Sequence, residues 1–134
     1  MKVGVTGTRS GMTDHQTQLV WDFLTTPGIT EIHHGDCRGV DVEVAALAHI
    51  LGIEIVCHPP VKDELRGWFE SDQTKAPLSY FASKRNIVDE TDFLLVVPFQ
   101  MSPQKHGGTW YTYSYARKKN KPYLVVYPLV ERTS

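Results

Sequence analysis

Three short glycine-rich segments each follow an apolar run that has the pattern of a buried strand. We name them the first glycine turn (residues 7–11, GTRSG), the second (residues 35–39, GDCRG) and the third (residues 107–109, GGT). Glycine lets a backbone approach a ligand closely, and the free N–H groups of a helix's first turn favour an anion. Strand, glycine turn and helix start together therefore predict a phosphate-binding edge.

Charged side chains within these turns could complete such a site. Arg9 would supply positive charge to a phosphate, and Asp36 and Asp41 could accept hydrogen bonds from sugar hydroxyls or an amine. The second turn fits neither the GxGxxG spacing nor the P-loop spacing. For Asp41 an alternative remains open, because an acidic residue also favours a helix N-terminus electrostatically.

Two further places could contribute to a ligand site. Arg85, next to Asn86 in a predicted helix, could hold a phosphate in fork geometry, and a solvated helix face is the alternative. Trp110, beside the third glycine turn, could reach a ligand. The residues predicted to contact a ligand are Gly7, Thr8, Arg9, Gly35, Asp36, Arg38, Gly39, Asp41, Arg85, Asn86, Gly107, Gly108, Thr109 and Trp110.

The histidines and cysteines do not suggest a metal site. His33 and His34 are adjacent in a predicted strand, so their side chains point to opposite faces. The sequence shows no group of three ligands, and Cys37 and Cys57 are too few for a cysteine zinc site. We predict no metal and no cofactor.

Strand-like and helix-like segments alternate along the chain and must position these turns. Strands are predicted at residues 2–6, 30–34, 53–57, 92–97 and 122–127, with helices from about residues 13, 40, 80 and 110. This order predicts an α/β fold, a single domain over residues 1–134, with a mainly parallel sheet of about five strands and helices on both faces. Such sheets bind ligands at the carboxyl ends of their strands, where all three glycine turns fall. Residues 61–78 show no clear period and are a candidate lid.

The composition disfavours two classes of partner, nucleic acids and membranes. The net charge of −1 carries no basic excess, which disfavours nucleic acid as a partner. No apolar run is long enough to span a membrane, and the N-terminal residues lead directly into a strand pattern. We therefore expect a cytoplasmic protein without a membrane partner.

With these residues assembled, the chain resembles the SLOG superfamily, which includes the Lonely-guy phosphoribohydrolases, DNA-processing protein A and molybdenum-cofactor carrier proteins. The resemblance is closest to the short, stand-alone members of bacteria and phages. It rests on residues 4–9, 34–41, 58–60, 85–88, 108–112 and 115–118. It implies a Rossmann-like fold, a homo-oligomer (a dimer or higher), and a nucleotide or nucleotide derivative bound at the glycine turns.

One position departs from the enzymes of this superfamily. The phosphoribohydrolases resemble PGGxGTxxE at the third glycine turn, and Thr112 stands where their catalytic glutamate would be. The resemblance therefore implies a protein that binds a nucleotide-type small molecule. A signalling nucleotide is one candidate for this ligand. Two alternatives stay open: a nucleotide N-glycosidase that uses Asp36 or Asp41 as its carboxylate, and a DNA-associated module.

Overall fold

The computed structural model describes residues 1–130, which form six strands, four α-helices and one short 3-10 helix (Asp63–Leu65). The strands are β1 (Lys2–Gly7), β2 (Glu31–His34), β3 (Glu54–Cys57), β4 (Gln73–Thr74), β5 (Phe93–Val97) and β6 (Tyr123–Val125). The helices are α1 (Asp14–Leu24), α2 (Val40–Ile50), α3 (Tyr80–Asp89) and α4 (Gly108–Lys118). None of these helices is long and apolar enough to cross a bilayer.

The strands form one sheet in the order β4-β3-β2-β1-β5-β6, with every neighbouring pair parallel. The predicted α/β, Rossmann-like architecture is confirmed. The chain lays β2, β3 and β4 on one side of β1, and then places β5 and β6 on the other side. The crevice where ligands bind in such sheets therefore lies between the carboxyl ends of β1 and β5.

Helices cover both faces of the sheet, as predicted. Alternate residues of β1 serve the two faces, so Val3 and Val5 pack under α1 and α2 while Gly4 faces α3. A Cβ at Gly4 would lie 2.7 Å from the Ile87 side chain, so glycine lets α3 pack closely on the sheet. Each face of the sheet therefore has its own hydrophobic core. The core between the sheet and the helices α3 and α4 includes Ile87 and Leu94.

Two local features differ from the sequence-based expectation. Residues 61–78 show no clear period in the sequence, yet they contain strand β4, which pairs with β3. A strand of two residues is too short to produce a periodic pattern. In α3, the spacing of Phe81 and Val88 in the sequence predicts one apolar helix face that includes both residues. Val88 is buried, but Phe81 is 47% exposed and its ring centroid lies 4.5 Å from that of Tyr111. Lys84 lies instead on the buried face of α3.

Candidate functional site

The three glycine turns lie side by side because β2, β1 and β5 are neighbours in the sheet. The first and second turns are directly joined, since the Val40 N–H donates to the Thr8 carbonyl at 3.1 Å. Gly39 permits this contact, because its φ is +86° and a Cβ there would lie 2.5 Å from the Thr8 oxygen. The Thr8 N–H in turn donates to the carbonyl of Val97 at the end of β5 (3.1 Å). The predicted convergence of the turns on one edge is present.

Tyr80, at the start of α3, contacts the first and third turns and lies near Lys84, which adjoins the second. Its ring centroid lies 5.6 Å from the Arg9 guanidinium carbon and 5.1 Å from Lys84 Nζ, which adjoins Gly35. Its hydroxyl packs against Gly108 so closely that no Cβ would fit there. Sequence reasoning missed Tyr80 because a helix pattern does not reveal what the first side chain of the helix contacts.

A buried ion pair lies beneath the Tyr80 ring. Lys84 is 3% exposed, and its Nζ lies 3.8 Å from Asp41 Oδ2 and 3.4 Å from Cys37 Sγ. Burial acts to lower the pKa of Lys84, but the Asp41 carboxylate and Cys37 outweigh it and raise that pKa above its usual value. Lys84 therefore remains an ammonium ion inside the fold.

The second glycine turn already surrounds an anion of its own. Asp41 Oδ2 accepts hydrogen bonds from the N–H groups of Gly35 (3.0 Å) and Cys37 (3.2 Å). Its other oxygen, Oδ1, and Thr6 Oγ1 are buried without a hydrogen-bond partner among residues 1–130. Burial and Asp41 raise the pKa of Cys37, which disfavours a reactive thiolate. The turn's N–H groups thus serve a protein carboxylate.

Asp36 has a structural environment that the sequence did not reveal. It is fully buried, and its carboxylate accepts hydrogen bonds from Arg66 Nε (2.8 Å) and from the N–H groups of Trp68 (3.2 Å) and Phe69 (2.8 Å). The side chain therefore points at the 61–78 segment and not at open solvent. Asp36 anchors that segment, so neither a ligand-reading nor a catalytic role fits this geometry.

Three potential metal ligands do come together, contrary to the expectation that no such group exists. Donor atoms of His34, Asp36 and Cys57 lie within 4.8 Å of one another. His34 Nδ1 accepts the Asp36 N–H at 2.9 Å, and its Nε2 pairs with Ser71 Oγ at 2.9 Å. Burial raises the pKa of Cys57 to about 12. Because both nitrogens of His34 and both carboxylate oxygens of Asp36 already have hydrogen-bond partners in the protein, this group does not suit a metal ion.

The third glycine turn differs electrostatically from the other two. Its helix, α4, begins after Gly107 (φ +99°), and it has no side-chain cap and no acidic residue in its first turn. By contrast, the first turn of α2 contains Asp41 and Glu43. The helix after the first glycine turn, α1, is closed by a capping box of Thr13 and Gln16. Among the three helices that follow the glycine turns, α4 therefore best accommodates an added anion.

Trp110 and Arg85, both predicted ligand contacts, are engaged within the protein. Trp110 is 3% exposed and its Nε1 donates to Gln100 Oε1 at 2.9 Å, so it is a core residue with little surface at the turn. Arg85 Nη1 donates to the Tyr111 hydroxyl at 2.8 Å across α3 and α4. Arg85 thus joins α3 to α4 beside the third turn.

The remaining predicted contacts divide by exposure. Arg38, within the second turn, is exposed, whereas Thr109 and Asn86 are half-buried. Thr112 is fully buried and its Oγ1 donates to the Gly108 carbonyl at 2.7 Å. The Thr112 hydroxyl is therefore satisfied within its own helix.

Two cavities open at this edge. One of about 350 Å³ lies between the first and second turns and includes Ser10, Arg38 and Gly67 in its lining. The other, of about 280 Å³, adjoins the third turn, and Lys105 and His106 are among its lining residues. Both sides of the switch point between β1 and β5 can thus receive parts of a small molecule.

Solved structures with similar folds are found despite low sequence identity. A molybdenum cofactor binding protein from Rippkaea orientalis has a TM-score of 0.70 at 18% identity, over 92% of this chain and 74% of its own. DNA processing protein A from Helicobacter pylori, which binds single-stranded DNA, has a TM-score of 0.64 at 20% identity, over 100% of this chain and 67% of its own. The structural-genomics target TM1055 has a TM-score of 0.66 at 19% identity, over 91% and 71%.

No protein-family model and no curated protein matches the chain by sequence. The likeness is therefore one of fold, and it agrees with the resemblance carried by the sequence motifs. The chain has the Rossmann-like fold that these three proteins share.

Proposed function

We propose that this protein binds a nucleotide or nucleotide-derived small molecule, with a phosphate at the N-terminus of α4. The observation that carries the proposal is the uncapped, acid-free first turn of α4 after Gly107. Arg9 lies nearby, because its guanidinium and Gly108 both contact Tyr80. A phosphate between them would gain helix N–H groups and a charged fork of donors.

The surroundings of this position favour an anion. Lys105 and His106 directly precede Gly107 and line the adjacent cavity. The position also lies at the switch point between β1 and β5, where ligands bind in doubly wound sheets. The buried ammonium of Lys84 is balanced by Asp41, so it adds little net charge. The anion site therefore depends on exposed groups.

Holding a ligand is better supported than cleaving one. The N-glycosidase alternative needs a carboxylate at the ligand, but Asp36 is fully buried against Arg66 and Asp41 is 1% exposed. Thr112 carries no charge and donates within α4. The DNA-associated alternative shares the fold of DNA processing protein A, but the net charge of −1 disfavours a phosphate-backbone surface. The homo-oligomer and the cytoplasmic location stay predictions.

The test combines mass spectrometry with a matched pair of variants. The protein is incubated with linear, cyclic and ADP-ribose-type nucleotides. The ligands are then recovered and their masses are measured. We expect unchanged ligand to bind, with Arg9→Ala raising its Kd more than about tenfold, since charged hydrogen bonds contribute ~1.5–3 kcal/mol. Arg117→Ala, at the exposed far end of α4, is the control and should leave the Kd unchanged.

Two results would overturn the proposal. The first is that no nucleotide of the panel binds. The second is the release of free base and ribose phosphate, which would establish the N-glycosidase alternative instead.

A further inference from the structure

Trp68 combines exposure with an unfavourable backbone conformation. Its side chain is 59% exposed, although burying a large aromatic ring stabilises a fold. Its φ is +57°, in the left-handed region that residues with a Cβ rarely adopt. Both features oppose stability, and such conformations persist only where surrounding contacts impose them, often at functional sites.

The contacts that impose this conformation come from a buried carboxylate. Asp36 accepts the N–H groups of Trp68 and Phe69, and the Asp36 carbonyl accepts the N–H of Gly67 at 2.5 Å. Because Asp36 is itself fully buried, it is a fixed point for the three consecutive residues. The 61–78 segment is thus held in place at the indole, which is the behaviour of a preformed surface and not of a free lid.

The indole is also covered on one side by a cation. The Arg66 guanidinium carbon lies 3.9 Å from the centroid of the Trp68 ring, while Arg66 Nε is held by Asp36 at 2.8 Å. A guanidinium on one face leaves the other face of the indole as its exposed surface. Charge and backbone together orient a flat aromatic surface toward solvent.

This surface lies beside the proposed nucleotide site. Arg66 is bridged to Cys37 in the second glycine turn, and Gly67 packs against Val42 of α2. Gly67 also lines the cavity that contains Ser10 and Arg38. The second turn shares the carboxyl edge of the sheet with the third turn, which suits a nucleotide with its phosphate at α4 and its base near the second turn.

We propose that Trp68 is the stacking surface for the nucleobase of the bound ligand, with Asp36 and Arg66 as its positioning residues. The proposal rests on the proposed nucleotide-binding function and specifies which part of the ligand is recognised here. A base has a π-face whatever its identity, so stacking supplies affinity with little base preference. Arg66 stacked behind the indole adds its positive charge to the same surface.

The test uses a substitution that removes the ring without disturbing the segment. Glycine suits a φ of +57°, so Trp68→Gly should fold at least as well as wild type, and Trp68→Phe keeps an aromatic ring. The probes are the four common nucleoside monophosphates and ribose 5-phosphate, measured by titration calorimetry. We expect Trp68→Gly to weaken monophosphate binding by about fivefold to a hundredfold, with ribose 5-phosphate unaffected and Trp68→Phe close to wild type.

Each contrary result has a distinct meaning. If Trp68→Gly binds the monophosphates as wild type does, or weakens ribose 5-phosphate equally, the stacking role is overturned while phosphate binding stands. If wild type binds none of the five probes, this inference is overturned. If it also binds no nucleotide of the wider panel but binds single-stranded oligothymidine, the nucleotide function is overturned as well, in favour of a DNA-associated module.

Discussion

Acidification is expected to destabilise this fold through His58. The side chain is 2% exposed, and its Nε2 lies 2.8 Å from His33 Nδ1 with the two rings stacked at 5.1 Å. Its Nδ1 is 3.7 Å from Glu90 Oε2, too far for a hydrogen bond. Burial first, and then His33 and Lys75, lower the pKa of His58 from 6.5 to about 3. The folded protein therefore holds a neutral imidazole that an unfolded chain would protonate.

The sign and size of the effect follow from this difference. The folded pKa is depressed, so the unfolded state binds more protons between pH 6.5 and 3, and stability is lost as pH falls through that window. Relative to pH 8, His58 alone should lower the free energy of unfolding by about 0.8 kcal/mol at pH 6 and about 2 kcal/mol at pH 5. Burial also lowers the pKa of His34, which adds a loss of the same sign.

The assay is urea unfolding at pH 8, 6 and 5, with each variant compared with its own value at pH 8. His58→Gln removes the titration, so it should lose about 2 kcal/mol less than wild type between pH 8 and 5. His49→Gln, an exposed position in α2, should follow wild type. Equal losses in wild type and His58→Gln would refute the reasoning, because they would show that the buried imidazole does not carry the pH dependence.

Two further substitutions test the contacts that build the site. Lys84→Met should lower the free energy of unfolding by about 3–5 kcal/mol, because it leaves the Asp41 charge buried without its partner. Adding Asp41→Asn should restore part of that loss in the same denaturation assay, and a double variant no better than Lys84→Met would contradict the pairing. In thermal melts, Gly39→Ala should lower the Tm more than Gly52→Ala does. Both glycines have positive φ, but only at Gly39 would a Cβ overlap the Thr8 carbonyl; equal costs would argue against that contact.

The sequence predicted the features that depend on local pattern. Alternating apolar periods predicted a parallel sheet with helices on both faces, and the positions of the glycine turns predicted the edge at which they meet. Contacts between distant residues left no such pattern. Asp36 and Arg66 are 30 positions apart, and neither residue type signals that the other buries and pairs it. Lys84 was missed for a related reason, because a lysine is placed on a buried helix face only by a partner on another element.

The same distinction explains why three similar glycine turns need not have the same function. Glycine allows close backbone approach at each of them, but the charge in the following helix decides what can approach. The second turn's N–H groups bind Asp41, which lies in the first turn of α2. The first glycine turn leads into α1, whose N-terminus is capped by Thr13. Only in α4, among the helices that follow the three turns, is the first turn without a cap or an acid. A strand–glycine–helix motif is therefore better evidence for an anion site when its helix begins without a carboxylate of its own.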